Sequence, residues 1–393
     1  MSYMWQILKE WMERKDISWY IHIPLYLLSL FYRLGVWGRL FFYKVGIFKT
    51  KALPCKVISI GNITVGGSGK TPMVIYMAGL LRGMGKKVVI LSRGYGRRGK
   101  GGMVSDGKRI LLGPEKAGDE PYLMAKRLKK VPILVSRDRY STGVEAVNRL
   151  SPDVIILDDG FQHLRLKRDI NILLMDEGIG FGNGYLLPRG ILREPLKGIE
   201  RADVIMVKDS GQWSVVSGQF ATHNSQLTTH NYNTPVFSFR YHPIGLRELA
   251  SGKDVGLNTL NGKQVFALAG IANPLSFIET LEDLGVEVIG KIFYPDHHRY
   301  SPSDIDAIGS EIQGSTVKPP NSPLTTHHSP LIVTTAKDGV KLKKFTIHSC
   351  LGTDFKSVPI YVLDIEVRVE GAEEFKQYLV AHGLGRDLKS VPI

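Results

Sequence analysis

Cysteine is nearly missing from this chain. Cys55 and Cys350, far apart in 393 residues, exclude a disulfide framework and offer no paired spacing for a thiolate zinc site. A reducing, cytosolic setting is expected. Apolar runs of bilayer length are lacking too. Ile17 to Tyr32 carries no Lys, Arg, Asp or Glu, but it is 16 residues long with His22 and Pro24 inside it, short of the roughly 18 to 20 needed to span. Nor does it read as a secretory signal, because Glu10, Glu13 and Asp16 precede it and no small-residue cleavage site follows. Acidic residues are outnumbered, 37 against 51 Lys and Arg, and the resulting charge of +14 calls for an anionic partner. Nucleic acid, an acidic membrane surface and a phosphorylated substrate all qualify. With 43% hydrophobic and 22% charged residues the composition is globular rather than disordered or fibrous, and the length suits two or three domains.

The location of the charge narrows the choice. Tyr32, Leu34, Val36, Trp37, Leu40, Phe41, Phe42 and Val45 are interleaved with Arg33, Arg39, Lys44 and Lys49. Large aromatics beside spaced cations suit a helix lying in the headgroup layer of an anionic membrane. The same pattern also suits an amphipathic helix packed on its own domain with snorkelling basic side chains. Both readings stand on the residues alone.

From Cys55 onward, short apolar strands alternate with helical segments. Strands are expected at Cys55–Ile60, Lys87–Leu91, Val131–Val135, Asp153–Leu157, Asn171–Met175 and Val204–Val207, and helices at Pro72–Leu81, Pro121–Leu128 and Thr142–Leu150. That alternation predicts a mostly parallel sheet covered on both faces. Residues 211–233 lose periodicity and turn polar, marking a linker or surface insertion. A second α/β unit starts near Pro235, with strands at Gln264–Ala269, Val286–Ile289 and Leu331–Thr334 and a helix at Ser276–Leu284. Two short repeats interrupt the pattern: residues 224–231 resemble 321–328, and 351–360 resemble 384–393. They are too short and irregular to stack as a solenoid, and their His residues lack acidic neighbours for a metal site.

The sharpest signal is GNITVGGSGKTP, Gly61 to Pro72, between the first strand and the first helix. A glycine-rich loop running into a helix N-terminus aims several backbone N–H groups and the positive helix end at a polyphosphate. Thr64, Val65, Gly66, Gly67, Ser68, Gly69, Lys70 and Thr71 are the ATP-binding candidates, with Lys70 for the β and γ phosphates and the Thr71 hydroxyl for Mg²⁺. Thr64 stands where the usual phosphate-loop pattern has its first glycine. Val65 stands where partitioning ATPases carry a lysine, which argues against a nucleotide-switch dimer.

VIILDDGFQH, Val154 to His163, reads as a buried strand ending in two carboxylates. Asp158 and Asp159 there can hold Mg²⁺ or its water beside a phosphate loop, although two Asp after a strand also make an ordinary turn. Gly118-Asp119-Glu120-Pro121 opens a helix, and acid in a first turn is also plain capping chemistry. Pro295-Asp296-His297-His298 follows an aromatic strand end. An Asp and a His from the two lobes can together activate an acceptor hydroxyl. Arg93, Arg97 and Arg98 around Tyr95, and Arg189 with Arg193, occupy loops after strands. Such loops face the ligand crevice of a parallel α/β sheet and can grip an anion, or simply carry solvated charge.

Together these motifs resemble the tetraacyldisaccharide 4'-kinases of lipid A biosynthesis in Gram-negative bacteria. The shared stretches are GNITVGGSGKTP, LSRGYGR, GDEP, SRDR, LDDGFQH, PRGILREP, GIANP, YPDHH and TTAKDGVKL, in family order from about residue 24 to 345. The resemblance implies transfer of the ATP γ-phosphate, with Mg²⁺, to the 4'-hydroxyl of a tetraacylated glucosamine disaccharide 1-phosphate at the cytoplasmic face of the inner membrane. It puts the catalytic pair on Asp119 and His297, with Lys70 on the nucleotide. Arg93, Tyr95, Glu120, His163 and Arg193 fall near the lipid substrate. The chain departs from the family at Ala336, where Glu is typical, at Arg189 and Ile191, and in polar insertions around 214–233 and 314–330.

The expected fold is therefore α/β, in three parts. Residues 1–50 form a membrane-associated helical segment, residues 51–234 a P-loop NTPase-like parallel-sheet core, and residues 235–393 a smaller α/β lobe. A peripheral or monotopic monomer is expected, with the lipid A precursor and an anionic membrane surface as partners and no nucleic acid, since no recognised module appears. A membrane-bound NTPase switch is the competing function. It would hydrolyse nucleotide without lipid, whereas a kinase should wait for its acceptor.

Overall fold

The computed structural model describes residues 12, 18–67, 69–209, 234–316, 331–348 and 359–384. Ser68, Cys350, the polar stretch 210–233, residues 317–330 and most of both short repeats lie outside that set. The described chain divides into two compact units, one formed by residues up to Arg240 and again from Val367, the other by Tyr241–Glu366.

The first unit is built on β1 (Lys56–Gly61), β2 (Val88–Ser92), β3 (Gly102–Ser105), β4 (Ile133–Val135), β5 (Val154–Asp158), β6 (Ile170–Asp176), β7 (Val204–Lys208) and the start of β8 (Val236–Glu248). Its strand order is β8-β7-β6-β1-β5-β2-β4-β3. Neighbours run parallel except at the edge, where β3 pairs antiparallel with β4. VIIL of β5 and VIMV of β7 are unbroken apolar runs because both sheet faces are covered, so no solvent face demands alternation. The helix Lys70–Gly83 packs against β1, β2 and β5, and the helix Arg139–Leu150 against β2 and β4.

The register matters for function. Ile60 of β1 lies opposite Asp158 of β5, so the strand that enters the glycine-rich loop ends beside the acidic pair. Ligands of parallel sheets bind outside the carboxyl ends of the strands, and that is where these motifs fall.

The long helix runs from Trp19 to Lys44, and no helix among the described residues is long and apolar enough to cross a membrane. Ser29 anchors it to the first unit by donating to the Leu186 carbonyl at 2.9 Å and accepting from the Arg189 N–H at 3.0 Å. Tyr32 donates to the Arg193 carbonyl at 2.8 Å. Trp19, Phe31, Leu34 and Trp37 stay more than 60% exposed.

The second unit continues β8 and adds β9 (Asp254–Val255), β10 (Gln264–Ala269), β11 (Glu287–Phe293), β12 (Leu331–Thr335) and most of β13 (Ile360–Val369). Strands β11, β10, β12 and β13 are parallel neighbours in that order. Along β10 the side chains alternate: Val265, Ala267 and Ala269 join Phe277 and Leu281 on one face, while Phe266 and Leu268 join Ile308, Ile312 and Leu342 on the other.

The division differs from the expected lobe 235–393. The chain leaves the first unit at Arg240 and returns at Val367, so the end of β13 and the helix Ala372–Leu379 belong to the first unit. Phe375, fully buried, and Glu370, whose N–H donates to Ser238 at 2.9 Å, secure that return. Cys55 is a free thiol pushed up to about 11, by burial and then by Asp169 and Asp153.

Gly61 closes β1 against the turn after β5. A Cβ there would sit 2.8 Å from Phe161 Cβ and 2.9 Å from the Phe161 nitrogen, and backbone cannot move aside cheaply. Gly61→Ala is expected to cost about 1–3 kcal/mol, read as a lower midpoint of urea unfolding with an unchanged slope.

Candidate active site

The loop after β1 needs glycine at two places: Gly66 has φ of +122° and Gly69, which caps the helix Lys70–Gly83, has φ of +77°. With Gly69 turned this way the helix begins at Lys70, leaving its first N–H groups at the mouth of the loop. The front of the loop is held by chain from far away. Val65 N–H donates to the Ile191 carbonyl at 2.8 Å, and Arg193 N–H to the Ile63 carbonyl at 2.7 Å. Lys70 Nζ lies 3.2 Å from Asn62 Oδ1, 3.5 Å from the Gly66 carbonyl and 3.9 Å from Asp159 Oδ1.

Two adjacent carboxylates at the end of β5 have opposite environments. Asp158 is buried and accepts from Ser92 Oγ at 2.6 Å, while its Oδ1 is buried without a hydrogen-bond partner. Burial, with the nearby charge of Glu120, pushes it up to about 6. Burial acts on Asp159 in the same sense, but Lys70, Arg193 and Arg139 together outweigh it and hold this carboxyl below its ordinary value. Arg193 Nη1 donates to both Asp159 oxygens, at 2.9 and 3.2 Å. The buried Arg139 donates to the Asp159 carbonyl at 2.8 Å. Asp159 has φ of +48°, a left-handed conformation that aspartate tolerates better than most residues.

An orphaned buried carboxylate oxygen beside a second carboxylate fits a divalent cation. Among the described residues no group of three or more His, Cys, Asp or Glu forms an all-protein metal cage. Mg²⁺ needs none, because it is commonly held through one or two carboxylates and substrate phosphates. Asp158, Asp159 and Thr71 are the residues that suit it.

Asp119 and Glu120 form the first turn of the helix Asp119–Arg127 behind Gly118, whose φ is +91°. A Cβ at Gly118 would meet the Tyr95 carbonyl at 2.8 Å, so the Arg93–Tyr95 loop lies directly on the GDEP turn. The Tyr95 side chain itself is exposed. His163 has a buried Nε2 with no partner, and burial, then the charges of Arg139, Arg168 and Arg39, lower it to about 4. The structure thus gathers Lys70, Asp158, Asp159, Glu120 and Arg193 in the first unit.

His297 belongs to the second unit, with φ of +60°. Its Nε2 lies 3.2 Å from Lys337 Nζ, which also contacts Asp296 Oδ1 at 2.9 Å. Burial tends to raise Asp296, but Lys337 and His297 hold it below its ordinary value. Asp338, next along TTAKDG, is fully buried and accepts from Gly270 N–H, Thr335 and Tyr300. Ala336 packs against the apolar cluster that includes Tyr300 and Leu342.

One anion-grip expectation is overturned. Arg189 is completely buried, its Nε 2.9 Å from His22 Nδ1 and its guanidinium over the Tyr185 ring, so it fastens the long helix instead of a ligand. Arg97 likewise serves its own loop, donating to the Arg93 and Lys100 carbonyls. Four residues passed over by sequence reasoning complete the site. Asn62 holds Lys70, and Arg139 braces the acidic turn. Gln162 donates to the Asn62 carbonyl at 2.7 Å and to Glu194 Oε1 at 2.8 Å. Each sits inside a motif already quoted; burial sets Asn62, Arg139 and Glu194 apart, and Gln162 is half-buried.

His163 gives a pH signature. In the unfolded chain it takes up a proton near pH 6.5, in the folded protein only near 4, so stability falls as pH drops through that window. His163→Gln should flatten that part of the curve: the gap between variant and parent unfolding midpoints shifts in favour of the variant between pH 7 and 5.

Comparison with known proteins agrees with this geometry. The family model described as tetraacyldisaccharide-1-P 4'-kinase matches residues 21–383. The tetraacyldisaccharide 4'-kinase of Syntrophus aciditrophicus is 41% identical over 93% of this chain and 94% of its own, and that of Desulfatibacillum aliphaticivorans 38% identical over 90% of each. A crystal structure of LpxK from Aquifex aeolicus in complex with ATP is 34% identical and superposes with a TM-score of 0.68, covering 92% of this chain and 99% of that one. With phosphate loop, acidic pair and family model coinciding along the same stretch, the chain belongs to the tetraacyldisaccharide-1-phosphate 4'-kinase family.

Proposed function

We propose that this chain transfers the γ-phosphate of ATP to the 4'-hydroxyl of tetraacyldisaccharide 1-phosphate, a step of lipid A biosynthesis. The observation that carries the reading is the ion-pair cluster in which Lys70 of the glycine-rich loop shares Asp159 with Arg193. Phosphoryl transfer is mostly positioning and charge compensation, and this cluster provides both. The loop N–H groups and Lys70 bind the nucleotide phosphates. Thr71, Asp158 and Asp159 would hold Mg²⁺, which when bound compensates charge on the β and γ phosphates. Arg193, fixed by Asp159 and Gln162, orients an anionic acceptor beside the loop. Asp119 and His297 take the acceptor proton in this reading, while Arg93, Tyr95, Glu120 and His163 contact the lipid substrate.

Lys337 Nζ, 3.2 Å from His297 Nε2 and 2.9 Å from Asp296 Oδ1, holds the imidazole in place within the second unit. We infer that Asp119→Ala or His297→Ala lowers kcat at least a hundredfold, with ATP affinity within a few fold of the parent. The measurement is transfer of label from ATP to tetraacyldisaccharide 1-phosphate in detergent micelles. Label in the lipid, abolished by Lys70→Ala, establishes the reading; vigorous phosphate release without acceptor would replace it with an NTPase switch.

In this reading the long helix brings the kinase core to its lipid. Trp37 stacks on Phe41 at 5.4 Å on a helix that also exposes Phe31, Leu34, Arg33 and Lys44, while Arg39 donates to the Gln162 carbonyl. Such a patch suits peripheral attachment to a membrane surface; we infer that a monomer attaches there, at the cytoplasmic face of the inner membrane. Replacing Trp37 and Phe41 together by Ser should reduce cosedimentation with phosphatidylglycerol vesicles at least tenfold while leaving the unfolding midpoint nearly unchanged.

A further inference from the structure

A cavity of about 460 Å³ lies at the C-terminal end of the helix Trp19–Lys44 and uses none of the residues assigned to ATP transfer. One part of its wall is apolar, made by Leu40, Leu164 and Leu166. Another part carries Lys44, Lys167, Arg168 and Arg201.

These four cations are not balanced. Arg201 is paired with Glu194 at 2.5 Å, and Glu194 is also held by Gln162. Asp203, the other acid whose charge reaches Arg168, accepts from the Asn171 N–H at 2.7 Å. Arg168 makes no hydrogen bond or ion pair among the described residues, and its Nη1 is buried without a partner. Burial, then the adjacent Arg201, lowers its guanidinium to about 10.

A partly buried arginine beside a second arginine, with no counter-ion of its own, is an unfavourable arrangement that an anion relieves. Guanidinium groups match the oxygens of a phosphate. The apolar wall adds a second requirement, since a free inorganic anion gains nothing from three leucines. A phosphate joined to a hydrocarbon satisfies both parts. The helix that contributes Leu40 and Lys44 is also the one exposing Trp37, Phe41 and Phe42, which places the cavity at the end of the element best suited to lipid.

We propose that this cavity binds the phosphate group of a lipid, with Arg168 and Lys167 gripping its oxygens and the leucines covering the first carbons beyond it. Two sources share that chemistry: an anionic phospholipid of the bilayer, and the 1-phosphate of the acceptor itself. Only the second rests on the kinase reading.

The test uses the full chain as parent, Arg168→Gln and Lys167→Gln. Binding of dihexanoyl phosphatidylglycerol below its micellar concentration is measured by calorimetry, with octyl glucoside as the phosphate-free control. On the same proteins KM is measured for tetraacyldisaccharide 1-phosphate and for ATP. A tenfold or greater loss of phospholipid affinity at constant acceptor KM assigns the cavity to bilayer phospholipid. A tenfold rise in acceptor KM at constant ATP KM, with no phospholipid binding by the parent, assigns it to the acceptor's 1-phosphate. Both changes together support a site for either. Phospholipid affinity and acceptor KM that stay at parent values in both variants overturn the proposal. Lys167 is exposed, so its variant decides the matter should Arg168→Gln fail to fold. If the parent transfers no phosphate at all, the kinase reading fails separately; phospholipid binding still supports the cavity proposal, and its absence overturns it.

Discussion

The Asp159 carboxylate is the constraint on which the site depends. Three cationic side chains, Lys70, Arg139 and Arg193, converge on one residue at the end of β5, and without its negative charge they would repel one another in a partly buried setting. Each comes from a different segment: the glycine-rich loop, the helix after β4, and the loop that pairs with Ile63 and Val65. One acid therefore draws three stretches of chain into a single constellation. The parallel register that sets Ile60 beside Asp158 makes this possible, because it carries the loop and the acid to the same end of the sheet.

Its neighbour is tuned the other way. Asp158 has one oxygen satisfied by Ser92 and one with no partner, and burial raises it where Asp159 is lowered. Two consecutive carboxyl groups pushed apart in this manner divide their tasks. Asp159, held below its ordinary value, also organises protein cations. Asp158 is the carboxyl whose cost of ionisation a divalent cation held by the pair would remove.

The parts of this arrangement legible in the sequence were those with local signatures. The strand–loop–helix around Lys70 needed glycines at fixed places, and Gly66 and Gly69 do take positive φ. VIILDD announced a buried strand by its unbroken apolar run and ended in acid where the observed strand ends. What stayed hidden was long-range. Nothing in the order of residues showed that Arg189 is buried against His22 and Tyr185 while Arg193, four positions on, reaches Asp159. β3, a four-residue edge strand rich in glycine neighbours, and β13, whose start overlaps a short repeat, offered too little periodicity to read. The return of the C-terminal helix to the first unit depends on Phe375 finding a buried place, a tertiary fact with no local mark.

That return has an outcome for synthesis. Ser238 and Glu370 are hydrogen-bonded partners within the first unit, and everything between Tyr241 and Glu366 is a second unit spliced into that junction. On the ribosome the first unit cannot be finished when its own strands have emerged, because its last strand segment and closing helix are encoded after the whole of the second. The half-built sheet must wait with the edge beyond β8 uncovered, and a premature stop anywhere in the second unit leaves both units incomplete.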